Sequence, residues 1–407
     1  MLKRISVDQL RIGMFVQELC GSWMDHPFWR AKFMLRDPAD LGRISDSGVK
    51  EVWIDISRGA DVQGGRTEED VREEVERELE FVASMPMPML EESAGNAVDR
   101  AAALYRKSRP QMISMFNEAR LGRAVAADSC VPLVDEISHS VMSNPGALIS
   151  VVRLKTSDEY TYMHSVAVCA LMVALARQLG LGPKEVREAG LAGMLHDLGK
   201  ALMPMPVLNK PGKLSDEEFA IMRTHPARGH AMLVEGGTVS AAVLDVCLHH
   251  HEKVDGSGYP QRLKGDQISL IAKMGAVCDV YDAITSKRPY KSAWDPGEAL
   301  RKMAQWKGHF DIAVFQAFVK TVGIYPVGSL VRLQSGKLAV VAEQSTHSLL
   351  KPKVKVFFST KSNMRILPEL LDLGGPWCQD KVISCEDPEK WPFNDLEQLW
   401  GAPSLLG

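Results

Sequence analysis

Met194-Leu195-His196-Asp197-Leu198-Gly199-Lys200 decides how the rest of this chain is read. A histidine and an aspartate stand side by side at the end of an apolar helix predicted from about Pro183 to His196. An adjacent imidazole and carboxylate can offer two ligands to metal ions from one rigid point, and Lys200 adds a fixed positive charge within reach. Working outward, helical periodicity dominates from about Ala147 to Val322. One helix is predicted from about Ser157 to Leu179, with His164, Val168, Leu171 and Leu175 on a single stripe. The helix ending at His196 carries Ala189, Gly190 and Gly193, small enough for close packing. Ser215 with Glu218 is a capping-box pattern opening a helix that runs toward His225. A further apolar helix, from about Asp266 to Ser286, carries Asp279 and Asp282 one turn apart.

Five places between 164 and 279 therefore offer metal ligands: His164, His196-Asp197, His225, the run His249-His250-His251-Glu252, and Asp279. A lone histidine on an apolar helix is more often a satisfied core residue than a ligand. Histidines and carboxylates recurring on successive helices of one bundle are another matter, because that is what a buried dinuclear site requires. Imidazole with one or two carboxylates suits iron, manganese, zinc or nickel, so ligand type does not choose the metal.

The flanks are different in kind. Up to about Gly59, short apolar stretches such as Met14-Phe15-Val16 and Val52-Trp53-Ile54 alternate with breaks and suit strands; Trp23, Trp29 and Trp53 are expected in the core of that small β-rich domain. A linker at Asp61 to Gly65 precedes a charged helix capped by Thr67 and Asp70 and running to about Phe81. Met85-Pro86-Met87-Pro88 must interrupt it, before a second helical stretch from about Ala94 to Ala126. After Tyr325-Pro326-Val327-Gly328, three strands are predicted at Leu330 to Leu333, Lys337 to Val341 and Val354 to Phe358, the first two joined at Ser335-Gly336. From Pro368 onward no pattern stands out. The expected partition is a β-rich regulatory domain at 1–65, a helical linker region at 66–144, a helical-bundle catalytic domain at 145–325, and a β-hairpin extension with a tail at 326–407. The fold class is mainly α.

With 407 residues the chain has room for two or three domains, and 48 basic against 51 acidic residues give a net charge of -3. There is no basic excess for binding a DNA or RNA polymer. Seven cysteines at irregular spacing, none in a CxxC pair, argue against a disulfide framework or zinc ribbon and fit a reducing compartment. No apolar h-region follows the N-terminus, and the longest apolar run, Val166 to Ala176, is too short to span a bilayer. A cytoplasmic protein without membrane insertion is expected.

On these motifs the chain resembles the HD-GYP family. The resemblance rests on His196-Asp197-Leu198-Gly199-Lys200, on His225-Pro226 followed by Gly229, on His250-His251-Glu252 then Asp255-Gly256-Ser257-Gly258-Tyr259-Pro260, and on Asp279-Val280-Tyr281-Asp282-Ala283 with Arg288-Pro289-Tyr290. It covers about residues 145 to 325. Leu10-Arg11-Ile12-Gly13-Met14-Phe15-Val16 also looks like part of the small N-terminal domain of uncharacterised function that often precedes such domains. The resemblance implies a cyclic dinucleotide phosphodiesterase acting chiefly on cyclic di-GMP, with linear pGpG as first product and GMP as a further one. By motif, the implied ligands are His164, His196, Asp197, His225, His250, His251 and Asp279, with Asp197 as bridge and His249 outside the site. Asp197 and Lys200 are the implied catalytic residues, and Lys200, Arg288 and Lys291 match positions that hold substrate phosphates. The implied cofactors are two divalent ions, iron or manganese before zinc or nickel, with no organic cofactor. The mechanism implied is attack by a metal-activated hydroxide on phosphorus, Lys200 stabilising the developing charge.

One departure stands out. Family members with three metals carry a glutamate four residues before the first ligand histidine, where this chain has Tyr160, and Glu159 would project about 100° away around the helix; two metals are expected. Gly256, Gly258, Tyr259 and Pro260 spell a tight turn, and by analogy this loop contacts GGDEF-type diguanylate cyclases. A homodimer is among the expected assemblies. The competing readings are a phosphodiesterase for another cyclic dinucleotide, such as cyclic GMP-AMP, and a catalytically weak sensor or docking module.

Overall fold

The computed structural model describes residues 1–21, 32–84, 94–123, 125–152, 160–210, 212, 214–237, 239–286, 293–345 and 348–400. They form two compact units, Met1–Phe81 with Arg301–His309, and Val82–Leu300 with Phe310–Gly407.

In the first unit, β1 (Leu2–Ser6), β2 (Phe15–Leu19), β3 (Phe33–Met34), β4 (Glu51–Asp55) and β5 (Arg66–Thr67) build an antiparallel sheet in the order β3-β2-β4-β1-β5, with α1 (Pro38–Asp46) beside it. Strand alternation sends Ile5, Val52 and Ile54 into one core with Val16, Leu35 and Ile44. Arg4 and Trp53, paired across β1 and β4, point to the other face, and both are buried. Burial of a guanidinium is tolerated only when it is hydrogen-bonded. Arg4 donates to Glu51 Oε2 at 2.5 Å and to the Gln305 carbonyl at 2.6 Å, which fastens the segment Arg301–His309 into this unit. Trp23 and Trp29, like the Met85 to Pro88 break, lie outside the described residues. The Thr67–Asp70 box opens α2 (Glu68–Ala83), with reciprocal bonds of 2.9 and 3.2 Å.

In the second unit the C-terminal part is larger than the expected hairpin. Strands β6 (Leu330–Leu333), β7 (Lys337–Glu343) and β8 (Lys353–Ser359) stand where the alternation places them, with Gly336 at φ +82° in the first turn. Two more, β9 (Met364–Asp372) and β10 (Val382–Cys385), complete an antiparallel sheet in the order β10-β6-β7-β8-β9. The expectation of a patternless tail is corrected here. Trp391, Phe393, Leu396, Leu399 and Trp400 pack on one sheet face against Leu330, Leu338, Val340, Phe357 and Phe358. β9 escaped notice because it is an edge strand, largely exposed on both faces and held by main-chain pairing to β8; no hydrophobic alternation marks such a strand.

The helices of this unit are α3 (Ala94–Arg120), α4 (Val131–Ser143), α5 (Pro145–Val152), α6 (Tyr160–Gln178), α7 (Pro183–Leu195), α8 (Met205–Leu208), α9 (Asp216–Met222), α10 (His225–Glu235), α11 (Ala241–His249), α12 (Leu270–Thr285) and α14 (Ile312–Val322), with α13 (Pro296–Ala304) divided between the two units; α15 (Leu396–Trp400) packs on β7. The Ser215–Glu218 box caps α9. Helix α6 is central. It packs against α3, α4, α5, α7, α12 and α14, and every residue from Met163 to Ala176 is buried, so it is apolar all round rather than striped. Two glycines set how closely the site-bearing segments approach. A Cβ on Gly193 would sit 2.9 Å from the backbone nitrogen and Cα of Cys169, so α7 lies directly on the α6 main chain. A Cβ on Gly199 would fall 1.9 Å from the His225 carbonyl oxygen, so the turn after α7 abuts the start of α10 just as closely. We predict that Gly193→Ala, which forces two helix backbones apart, lowers stability by about 1–3 kcal/mol. Equilibrium denaturation checks this, and an unchanged midpoint at unchanged slope would refute the packing argument.

Candidate metal centre

His196 is the C-cap of α7, and Asp197 follows at φ -101°, ψ 10°, outside the helix. The helix end therefore delivers imidazole and carboxylate side by side into the interior, both 1% exposed. Around them gather His164 from α6, His225 from the start of α10, His250 and His251 from the end of α11, and Asp279 from α12, all buried.

These side chains form two groups, each with one ligand atom per residue and all such atoms within 4.8 Å: His164, His196, Asp197 and Asp279, and Asp197, His225, His250 and His251. Asp197 belongs to both, one oxygen to each. Its Oδ2 is 3.5 Å from His164 Nε2 and 3.4 Å from His196 Nε2, whereas its Oδ1 is 3.2 Å from His225 Nε2 and 3.7 Å from His250 Nε2. Asp279 Oδ1 lies 2.9 Å from His164 Nε2 and 3.8 Å from His196 Nε2. The Lys200 ammonium pairs with Asp197 Oδ2 from the partly exposed side.

The backbone dictates which nitrogen each ring presents. His196 Nδ1 meets the Gly193 carbonyl at 2.8 Å, His225 Nδ1 the Met222 carbonyl at 2.8 Å, and His250 Nδ1 the Val246 carbonyl at 2.9 Å. A carbonyl can only accept, so each Nδ1 carries a proton, and each ring, once neutral, turns the lone pair on Nε2 inward. His164 Nδ1 is held at 2.6 Å by Asp282 Oδ2. This outer layer is the one that orients metal-binding histidines elsewhere.

The donor set fits cations on this structure's own evidence. His225 Nε2 and His250 Nε2 face each other at 3.3 Å, about the 3.0–3.4 Å expected for two nitrogens bound to one ion at about 2.1 Å. His196 Nε2 and Asp197 Oδ1 are buried without a hydrogen-bond partner among the described residues, a costly state unless something else satisfies them. Burial opposes charging His196, but the Asp197 and Asp279 carboxylates outweigh it and push the imidazole up to about 10. Burial and the His196 charge together drive His250 down to about 3. Burial likewise opposes ionisation of Asp197, and the charges of Lys200 and His196 overcome it and hold the carboxyl well below its usual range. The interior thus gathers ionised carboxylates whose charge is met by a proton on His196 and by Lys200, places a cation could take over, and the site is compatible with two metal ions sharing Asp197.

Other residues fall elsewhere. His249 lies outside both groups, its Nδ1 2.6 Å from Asp245, whose other oxygen accepts from Ser269 at the N-cap of α12. Glu252 is buried, but it faces backbone: its two oxygens accept from Gln261 N at 2.6 Å and Leu263 N at 3.0 Å. It clamps the following loop, in which Asp255 Oδ1 accepts from Ser257 N at 2.8 Å and Gly256 takes φ +81°. Arg288, Lys291, Glu159 and the Tyr160 side chain lie outside the described residues. The roles of Asp282 and Glu252 were not assigned from sequence; the one-turn spacing of Asp279 and Asp282 was visible, but their shared partner is 115 and more residues away.

Two outcomes follow. Asp282→Asn, which removes the charge behind His164, should weaken metal binding by about 10–100-fold, read by titration with a competing chelator; wild-type affinity would refute the orienting role. Because His196 must shed a proton held up to about pH 10 before it can bind an ion, apparent metal affinity should rise with pH through the neutral range, by about tenfold per unit for each proton displaced. Affinity independent of pH, with no proton release in differently buffered calorimetry, would contradict this.

The family described as an HD domain matches residues 143–314, and one described as a domain of unknown function, DUF3391, matches residues 2–130. The chain is 56% identical to a cyclic di-GMP phosphodiesterase of Pseudomonas aeruginosa over 405 residues, 98% of this chain and 96% of that one. It is 42% identical to a cyclic di-GMP phosphodiesterase response regulator of Xanthomonas campestris pv. campestris over 36% of this chain and 39% of the relative. To a 3'3'-cGAMP-specific phosphodiesterase of Vibrio cholerae it is 34% identical, over 45% of this chain and 42% of the relative. With the paired histidine groups on one aspartate and a relative matched almost end to end, the chain belongs to the HD-GYP domain family, joined to an N-terminal domain of the DUF3391 type.

Proposed function

We propose that this protein is a metal-dependent phosphodiesterase that hydrolyses cyclic di-GMP to linear pGpG. The observation that carries the reading is the sharing of Asp197, one oxygen facing His164 and His196 and the other facing His225 and His250. Similarity along almost the whole chain, at 56% identity, to a cyclic di-GMP phosphodiesterase supports the choice of substrate.

His164, His196, Asp197 and Asp279 would hold one ion, and Asp197, His225, His250 and His251 the other. Bound there, two divalent ions supply a water acidic enough to ionise near neutral pH and a positive field for the phosphodiester oxygens. Mixed imidazole and carboxylate donors favour a borderline ion, and we assign iron or manganese. The protein's own part is positional. The carbonyl-anchored rings fix the donors before substrate arrives, so no reorganisation is needed during reaction. The oxygen of a water adds to phosphorus as the bond to the ribose 3′ oxygen breaks, one proton of the water ending on that oxygen as the free 3′ hydroxyl of pGpG and the other staying with the new 5′ phosphate or passing to solvent. Lys200, whose ammonium pairs with Asp197 Oδ2 and keeps part of its side chain open to solvent, stabilises the developing phosphoryl charge. Arg288 and Lys291 are assigned to the outlying phosphate.

The seven cysteines are all free, as a reducing compartment would keep them, and no helix among the described residues is long and apolar enough to cross a membrane; we place the reaction in the cytoplasm. Of Gly256, Gly258, Tyr259 and Pro260, the loop residues expected to meet GGDEF-type partners, Gly258 and Tyr259 are buried, so we assign that contact to Pro260 with its exposed neighbours Ser257 and Gln261. The unit built on Met1–Phe81 is assigned a regulatory role.

The test is hydrolysis of cyclic di-GMP by protein purified without oxygen and loaded with Mn²⁺, followed by chromatography of products. Wild type should release pGpG and stop when a chelator is added. Asp197→Asn should lose more than about 10³-fold in rate and Lys200→Ala about 10²-fold. Turnover by chelated protein, or by Asp197→Asn, would overturn the proposal.

A further inference from the structure

Among the five gathered imidazoles, His251 is held differently. The other four have Nδ1 fixed by a carbonyl or by Asp282, whereas no ring nitrogen of His251 makes a hydrogen bond among the described residues; its Nδ1 is 3.7 Å from Asp279 Oδ2. What touches the ring is aromatic. Tyr259 stacks on it with centroids 4.7 Å apart and planes 26° from parallel, within the spacing at which stacked rings attract. The Arg223 guanidinium in turn lies over the Tyr259 ring, 4.6 Å from its centroid, a cation–π distance. Arg223 stands two residues before His225, so this chain of contacts joins the turn that carries one imidazole to the ring of another.

Tyr259 is itself held. Its backbone nitrogen donates to the His251 carbonyl at 3.2 Å, and Glu252 clamps the loop on its far side at Gln261 and Leu263. A Cβ on Gly258 would meet Lys253 N at 2.4 Å and Glu252 Cα at 2.5 Å, so the loop folds directly back on the His251-Glu252 segment. Rotating His251 therefore requires moving the Tyr259 ring, and moving that ring requires breaking its contact with Arg223.

We propose that Tyr259 and Arg223 are positioning residues for His251, taking the place that a hydrogen-bonded oxygen takes for the other four rings. The loop then supports directly the shell of one ion, the one assigned to Asp197, His225, His250 and His251, and reaches the other only through the 3.7 Å approach of His251 to Asp279. A force applied to the loop would be felt first as looser binding of the former ion, with the His164-side ion disturbed less. This rests on the dinuclear reading above.

The experiment is Mn²⁺ binding to full-length protein, measured by chelator competition and by the spin coupling of a Mn²⁺ pair in electron paramagnetic resonance. Wild type should bind two coupled ions. Tyr259→Phe, which keeps the ring, should remain within about threefold; Tyr259→Ala should lose about 10–100-fold at one site and show an uncoupled single ion at limiting metal. Arg223→Gln, which leaves the loop sequence intact, should show a smaller loss at the same site. Two sites of wild-type affinity in Tyr259→Ala, or equal losses at both sites, would overturn the assignment. Two coupled ions in wild-type protein that leaves cyclic di-GMP intact would instead overturn the activity and leave the loop's role standing.

Discussion

The structure depends on one buried carboxylate with a donor group on each of its two oxygens. Asp197 is almost wholly removed from water, and a lone ionised carboxylate there would be prohibitively expensive. It is sustained by Lys200 on one side and by imidazoles on both, and its pKa is held low even though burial works against ionisation. The same electrostatic demand lifts the neighbouring His196. Positive charge must enter this interior as protons or as metal ions, and the inward lone pairs favour the latter.

Such a centre needs segments far apart in sequence to meet with little tolerance. Helix α6 supplies an apolar axis buried throughout its middle, against which α7 and α12 are laid. Gly193 removes the side chain that would hold α7 off α6, and Gly199 does the same where the turn meets α10. Carbonyl anchors then remove the remaining freedom of the rings. Binding geometry is thus largely prepaid by packing of the bundle, which is the condition for electrostatic catalysis without reorganisation.

The remaining chain is built on other principles. The first unit is an antiparallel sheet whose buried Arg4 is satisfied by Glu51 and the Gln305 carbonyl. The C-terminal sheet carries apolar clusters on both faces, one of them completed by Trp391, Phe393 and Trp400 from the last described residues. Neither contributes a residue to the two donor groups.

Much of the bundle was legible in the sequence because its signals are local: the apolar run of α6, the capping boxes of α2 and α9, and the adjacent His196-Asp197 pair each reflect neighbours within a turn or two. The alternating strands β6 to β8 were legible for the same reason. The edge strand β9 was not, since its stability comes from main-chain pairing and leaves no hydropathic mark. Sequence also named the residues that gather, but only the tertiary structure decided their geometry. That each oxygen of Asp197 faces its own pair of imidazoles, that Asp282 backs His164 and that Glu252 holds a loop rather than facing the centre are matters of orientation. They depend on contacts spanning from a few to more than a hundred residues, which no local pattern encodes.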